Sequence, residues 1–159
     1  MEVSQEVRKT IKRKEYMMHN FFECKIRYEK VMDDGKNKKV TEPYLVDALS
    51  FTEAEKRIID EMKPFITGEF TVDAIKRYNV TELFGCDDSD ADTWFRVKAN
   101  FITLDDNGNE KKTANYMLVL ASDIRDAQKR FDECMKGTMA DYQVEKIVET
   151  KIMDIFKFK

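Results

Sequence analysis

The stretch Phe21-Phe22-Glu23-Cys24-Lys25-Ile26-Arg27-Tyr28 alternates apolar and polar side chains with a period of two, and Trp94-Phe95-Arg96-Val97-Lys98-Ala99-Asn100-Phe101 does so again. Successive side chains of an extended chain point to opposite sides, so this alternation marks half-buried strands. Phe22, Cys24, Ile26 and Tyr28 share one face of the first, and Phe95, Val97, Ala99 and Phe101 share the matching face of the second. The opposite faces carry Phe21, Glu23, Lys25 and Arg27, and Trp94, Arg96, Lys98 and Asn100.

Each strand opens a longer pattern that occurs twice. Asp33-Asp34-Gly35-Lys36-Asn37 and Asp105-Asp106-Asn107-Gly108-Asn109 supply residues that tolerate a left-handed backbone, which predicts hairpin turns. The returning strands fall at about 40–49 and 111–120, and the all-apolar run at 116–120 predicts a strand covered on both sides. Thr52 with Glu55 forms a capping box that starts a helix with Ala54, Ile58 and Met62 on one stripe. Ala127, Phe131 and Met135 repeat that stripe, and Pro64 and Gly137 mark the helix ends. The closing segments, about 69–84 and 141–158, alternate as one long strand or two.

Laid on itself at an offset of 72 or 73 positions, the chain pairs Phe22 with Phe95, Asp33 with Asp105, Tyr44 with Tyr116, Met62 with Met135 and Phe84 with Phe156. The sequence therefore predicts an α+β fold: an internally duplicated ββαβ unit in a pseudo-twofold arrangement, with mostly antiparallel sheet and two packed helices. Its divisions are a basic tail or helix over residues 1–20, a first repeat over 21–84, an acidic linker over 85–93 and a second repeat over 94–159. Both repeats are expected to form one globular domain. The basic stretch holds Arg8, Lys9, Lys12, Arg13 and Lys14, and Met17 and Met18 stand where translation could start, which would make residues 1–16 dispensable.

Composition narrows the classes of function. Charged residues make up 37% of the 159 and hydrophobic ones 42%, with five Gly and two Pro, which excludes low-complexity and collagen-like chains. No apolar run approaches the roughly 18 residues of a membrane span, and the N-terminus lacks a secretory apolar segment, so a cytoplasmic location and no membrane partner are expected. Three widely spaced cysteines, Cys24, Cys86 and Cys134, suggest free thiols, with Cys24 and Cys134 read as core. A net charge of −3 offers no global pull on nucleic acid, so any such binding must come from a local patch.

Chemistry is sparse. His19 is the only histidine, which argues against triad catalysis, and no GxxxxGK[ST] or GxGxxG string occurs. Asp88, Asp90 and Asp92 copy the first three ligand positions of a calcium loop, but Thr93 stands where that loop needs Gly and Ala99 where it needs a bidentate Glu. No catalytic residue, cofactor or metal is expected, and the chain reads as a non-enzyme.

The string from His19 to Tyr28, the Asp-rich hairpin and the helix start at 52–55 resemble an uncharacterised family from gut Bacteroidetes and their phages. That resemblance covers nearly the whole chain from Met18 onward and brings no established activity. In topology, the last two strands of the first repeat followed by the hairpin and helix of the second give ββββα, similar to the units of Pur-alpha-like and Whirly proteins, which bind single-stranded nucleic acid.

Aromatic rings interleaved with cations on a strand face can stack bases and neutralise phosphates. The candidate nucleic-acid-binding residues are therefore Phe21, Lys25 and Arg27 with Lys36, Lys38 and Lys39 of the first hairpin, and Trp94, Arg96 and Lys98 with Lys111 and Lys112 of the second. The expected function is that of a single-stranded nucleic-acid-binding accessory of phage or mobile-element origin. The alternative is a protein-interaction or assembly module that uses a sheet edge, Phe21, Trp94 and the terminal Phe156 and Phe158 to meet a protein partner or a second copy.

Overall fold

The computed structural model describes residues 20–157. His19, the basic stretch from Arg8 to Lys14, the methionine pair Met17 and Met18, and Phe158 lie outside the described residues. The fold is α+β. Its elements run β1 (Asn20–Val31), β2 (Asn37–Ala48), α1 (Phe51–Met62), β3 (Phe70–Tyr78), β4 (Glu82–Phe84), β5 (Thr93–Leu104), β6 (Glu110–Ala121), α2 (Ile124–Met135), β7 (Tyr142–Glu149) and β8 (Ile155–Phe156).

Two four-stranded sheets result, in the orders β3-β1-β2-β8 and β4-β6-β5-β7, so the second reads β7-β5-β6-β4 from its other edge. All pairings are antiparallel except β2 with β8 and β4 with β6, which are parallel. The closing segment of each ββαβ pattern is thus two strands that go to different sheets. Sequence alternation had grouped β4 with the residues of 21–84 and β8 with those of 94–159; each instead completes the other sheet. The chain divides into two compact units accordingly, Val80–Met153 on one side and the residues before it with Asp154 onward on the other. Because β3 belongs to the first sheet, the ββββα order read from the sequence does not lie in a single sheet. Period two finds a strand but carries no information on its neighbour.

Within the first unit, α1 closes one face of the sheet. Its stripe Ala54, Ile58 and Met62 packs with Phe22, Cys24, Ile26, Tyr44, Val46 and Ala48 in a buried cluster. Burying a side chain of this size contributes about 1.5–3 kcal/mol, and the alternation of β1 and β2 delivers such side chains to one side only. Burial pushes the Cys24 thiol up to about 12, with the Glu23 charge adding to the effect. In the second unit Val97, Ala99, Met117, Val119, Phe131 and Met135 form the equivalent cluster beneath α2. Cys134 is exposed rather than core, since it sits off the stripe set by Phe131 and Met135.

Local chemistry explains both helix starts. The sequence offers two overlapping capping boxes, and the chain uses Ser50 with Glu53 rather than Thr52 with Glu55. The Ser50 hydroxyl accepts from the Glu53 amide at 3.1 Å, and the Leu49 amide donates to the Glu53 carboxylate at 3.3 Å. Starting two residues earlier lets the Phe51 ring meet Phe22 edge-on at 4.9 Å. Asp123 does the same work for α2, accepting from the Asp126 amide at 2.8 Å.

Both hairpins close alike. Gly35 accepts its positive φ of 79° in the first turn and Gly108 the same 79° in the second. Asp34 takes the Lys36 amide, and Asp105 the amides of Asn107 and Asn109. Position by position, Tyr44 opposes Cys24 and Met117 opposes Val97, so Met117 stands at the place of Tyr44 while Tyr116 faces the other way. The pairing of Tyr44 with Tyr116 read from the sequence is therefore one residue out of phase. Side-chain identity outweighed register in that comparison.

The acidic stretch between β4 and β5 is tied to α2. The Asp88 carboxylate takes the Asp90 amide at 3.0 Å and the Arg130 guanidinium at 2.8 Å, while Arg130 also donates to Asp126 at 2.7 Å. Asp88 is held below the usual carboxylate range chiefly by the Asp90 amide and then by Arg130; Asp126 is held down chiefly by the Ser122 amide and then by Arg130. Depressed folded-state values mean that this stabilisation is present above the ordinary Asp value near 3.9 and disappears as pH falls through the lower folded values. Arg130→Met should therefore lower the melting temperature at pH 7, and the gap from the parent should close as the pH drops below about 4. Thermal unfolding followed by circular dichroism between pH 7 and pH 3 checks this; a gap that stays constant through that window contradicts it.

Candidate nucleic-acid interface

With one face of each sheet under a helix, the opposite faces hold whatever polar chemistry the strands carry. On the first sheet that helix-free face presents Phe21, Glu23, Lys25 and Arg27 from β1, with Lys39, Thr41, Pro43, Leu45 and Asp47 opposite them on β2. Its inner end is closed: Phe21 is 8% exposed, Leu45 fully buried and Asp47 1% exposed. Phe21 cannot stack a base without leaving that site, so it drops out of the surface predicted from the sequence. Alternation gives the face of a residue but not its depth along the strand.

Lys25, Arg27 and Lys39 remain exposed. Lys76 reaches Glu23 at 3.4 Å from β3, and Lys39 stands opposite Glu29. Arg27 and Lys39 line an open groove of about 610 Å³ with Tyr28, Phe70, Glu29 and Glu69. Two carboxylates there offset two cations, so the groove gives no net pull on a phosphate. On the helix side of the same hairpin, Glu42 accepts hydrogen bonds from the hydroxyls of Tyr28 and Tyr44, both at 3.0 Å, and pairs with Lys30 at 3.8 Å.

The hairpin lysines divide by face. Lys39 and Lys112 share the helix-free faces with Arg27 and Lys98, whereas Lys38 opposes Lys30 and Lys111 opposes Thr103 on the helix sides. Lys36 lies in the turn itself and gives its amide to Asp34. Lys36, Lys38 and Lys111 are therefore exposed but lie off the strand faces that carry the other cations.

The helix-free face of the second sheet carries more cations, and its inner end is closed as well, with Leu118 fully buried. β5 contributes Trp94, Arg96, Lys98 and Asn100; β6 contributes Lys112, Ala114, Tyr116, Leu118 and Leu120; β7 contributes Lys146 and Val148. The Arg96 guanidinium lies over the Tyr116 ring at 4.0 Å from its centre, a cation–π contact. Lys98 opposes Tyr116 on one side and Lys146 on the other. Between Lys98 and Ala99 the register slips, which leaves Glu145 as the extra residue of a bulge. Its carboxylate pairs with Lys98.

Electrostatics confirm how tightly these charges are gathered. Glu145 is held below the usual carboxylate range first by its hydrogen bond from Lys98 and then by the charges of Lys98, Lys146 and Lys112. Lys98 is raised above its ordinary value, chiefly by the same hydrogen bond. Three lysines therefore act on one carboxylate, next to the Arg96–Tyr116 pair, with the half-buried Trp94 farther along the strand. The first sheet has the same bulge opposite Lys25, but there Asp73 takes the Thr71 hydroxyl at 2.8 Å instead of a lysine.

Sequence reasoning found Arg96, Lys98 and Lys112 and missed Tyr116, Lys146 and Glu145. No local signal marks those three, because their membership depends on β6 and β7 flanking β5 in a register set by the bulge. Among the described residues, no group of three or more His, Cys, Asp or Glu side chains gathers to hold a metal ion, and no helix is long and apolar enough to cross a membrane.

Residues 20–158 match the family model described as a domain of unknown function, DUF4494. The chain belongs to that family. No curated protein matches the sequence.

The cluster has a direct spectroscopic consequence. The Glu145 carboxyl should titrate below the ordinary Glu value of about 4.3, and replacing Lys112 and Lys146 together by Ala should move it upward toward that value. Carbon-detected NMR of the side-chain carboxyls reads both; an unchanged midpoint in the double variant would show that the lysines do not converge on Glu145.

Proposed function

We propose that the protein binds single-stranded nucleic acid, without enzymatic turnover, through the helix-free face of its second sheet, and that it serves as an accessory in phage or mobile-element DNA metabolism. The observation that carries this reading is that Lys98, Lys112 and Lys146 act together on Glu145 on the strand face that also holds the Arg96–Tyr116 pair and Trp94. Cations at strand spacing meet successive phosphates, and an aromatic ring beside them can stack a base. The first sheet by itself carries exposed Lys25, Arg27 and Lys39, offset by the nearby Glu23 and Glu29, and is not part of this proposal.

Glu145 gives the reading a sharp handle. A carboxylate at the centre of the cluster neutralises Lys98 in the free protein and repels an arriving phosphate, so binding must break that ion pair. Glu145→Gln therefore tightens binding several-fold under this reading, whereas a merely solvated lysine patch would leave it unchanged.

The test is fluorescence anisotropy of a labelled single-stranded oligonucleotide, with the emission of Trp94, the single tryptophan, read in parallel. With four phosphate contacts, affinity falls on the order of 50-fold between 50 and 200 mM salt. Combined Lys112→Ala and Lys146→Ala substitutions weaken binding and flatten that slope, Glu145→Gln strengthens it, and Trp94 emission shifts on saturation. Absence of saturable binding at low salt, or binding indifferent to all three substitutions, overturns the proposal.

A further inference from the structure

The strand beside β2 comes from the far end of the chain. Ile155 and Phe156 lie opposite Leu45 and Val46, the Leu45 amide donates to the Asp154 carbonyl at 3.1 Å, and the Arg57 guanidinium donates to the Lys157 carbonyl at 3.0 Å. The Phe156 ring stacks on Tyr44 with centres 6.0 Å apart and planes 19° from parallel. In the second unit β4 fills the equivalent slot beside β6. Leu83 opposes Leu118, Phe84 opposes Val119, and the Phe84 ring meets Phe131 edge-on at 5.9 Å.

Both slots thus hold an acidic residue, a branched aliphatic and a phenylalanine: Glu82-Leu83-Phe84 in one and Asp154-Ile155-Phe156 in the other. The register is the same, since Leu45 opposes Glu23 and Leu118 opposes Arg96 at matching places on β1 and β5. Yet β4 arrives from the chain that precedes its sheet's hairpin, and β8 from a segment that follows a different sheet. A slot filled equally well from either direction recognises the local strand and not the way the strand is connected.

β8 is also a short element on a sheet edge. It pairs over two residues, both half-buried, on a sheet edge, and short edge elements open at a small fraction of the global unfolding free energy. Its withdrawal would uncover the fully buried Leu45 and the backbone of β2, which a strand must cover again. A second copy carries the identical strand, and reciprocal exchange yields a closed twofold pair at almost no cost in contacts.

We propose that the β2 edge is a self-association site, in which the Asp154-Ile155-Phe156 strand of each copy occupies the slot beside β2 of the other. The connection between β7 and β8, residues 150–154, acts as the hinge. Removing the exposed Lys151 and Met153 shortens it by about 7 Å, and shortened hinges favour exchange between copies.

Light scattering coupled to size exclusion, on the full chain from low micromolar to near-millimolar concentration, tests this. The expected result is a dimer fraction that grows with concentration, becomes dominant in the hinge-shortened variant, and dissolves with an excess of the peptide Met153–Lys157. A labelled form of that peptide should bind the full parent chain about tenfold more tightly than the Phe156→Ala peptide, a comparison that holds even where the deletion variant does not fold. A chain that stays monomeric throughout, a dimer indifferent to the peptide, or equal binding of the two peptides overturns the assignment. None of these readouts depends on nucleic acid.

Discussion

Every later feature of this protein depends on the closure of one face of each long hairpin by a twelve-residue helix. Ala54, Ile58 and Met62 on α1, and Ala127, Phe131 and Met135 on α2, can bury their stripe only against the odd or the even side chains of the strands beneath them. Once that choice is made, period two leaves no freedom: each charge between core residues must stand on the opposite face. Arg96 and Lys98 are where they are because Phe95, Val97 and Ala99 are buried. A one-residue slip would exchange the two sets and destroy core and cationic surface together.

That constraint also explains which parts of the fold were legible in the sequence. The strands, hairpins and helices follow from local patterns: alternation at Phe22 to Tyr28, Gly35 and Gly108 at left-handed turn positions, and Ser, Asp and Glu at helix starts. Long-range pairing was illegible. Nothing in Glu82-Leu83-Phe84 says that it will lie parallel to β6, nor in Ile155-Phe156 that it will lie parallel to β2, because a strand of two or three residues is specified by its slot and not by itself. The helix start at Ser50 instead of Thr52 was a choice between two boxes of equal local merit, decided by the contact of Phe51 with Phe22.

The candidate site was legible in the same partial way. Lys98, Arg96 and Lys112 were visible as outward-facing residues of predicted strands. Lys146 and Glu145 were not, because their place beside Lys98 arises from the edge bulge of β7, and Tyr116 was matched to Tyr44 one residue out of phase. Phe21 was lost to burial, for which strand alternation carries no signal. The two helix-free faces also differ in their carboxylates. Asp73 at the first bulge is occupied by Thr71, and Glu145 at the second pairs with Lys98.

The most direct measurement is an amide and side-chain NMR titration of the full chain with a short oligothymidylate. If the helix-free face of the second sheet is the binding surface, shifts concentrate on Arg96, Lys98, Asn100, Lys112, Tyr116 and Lys146, with the Trp94 indole moving in step. Shifts confined to the helices or to the acidic stretch around Asp88, or no shifts at saturating oligonucleotide, would contradict it.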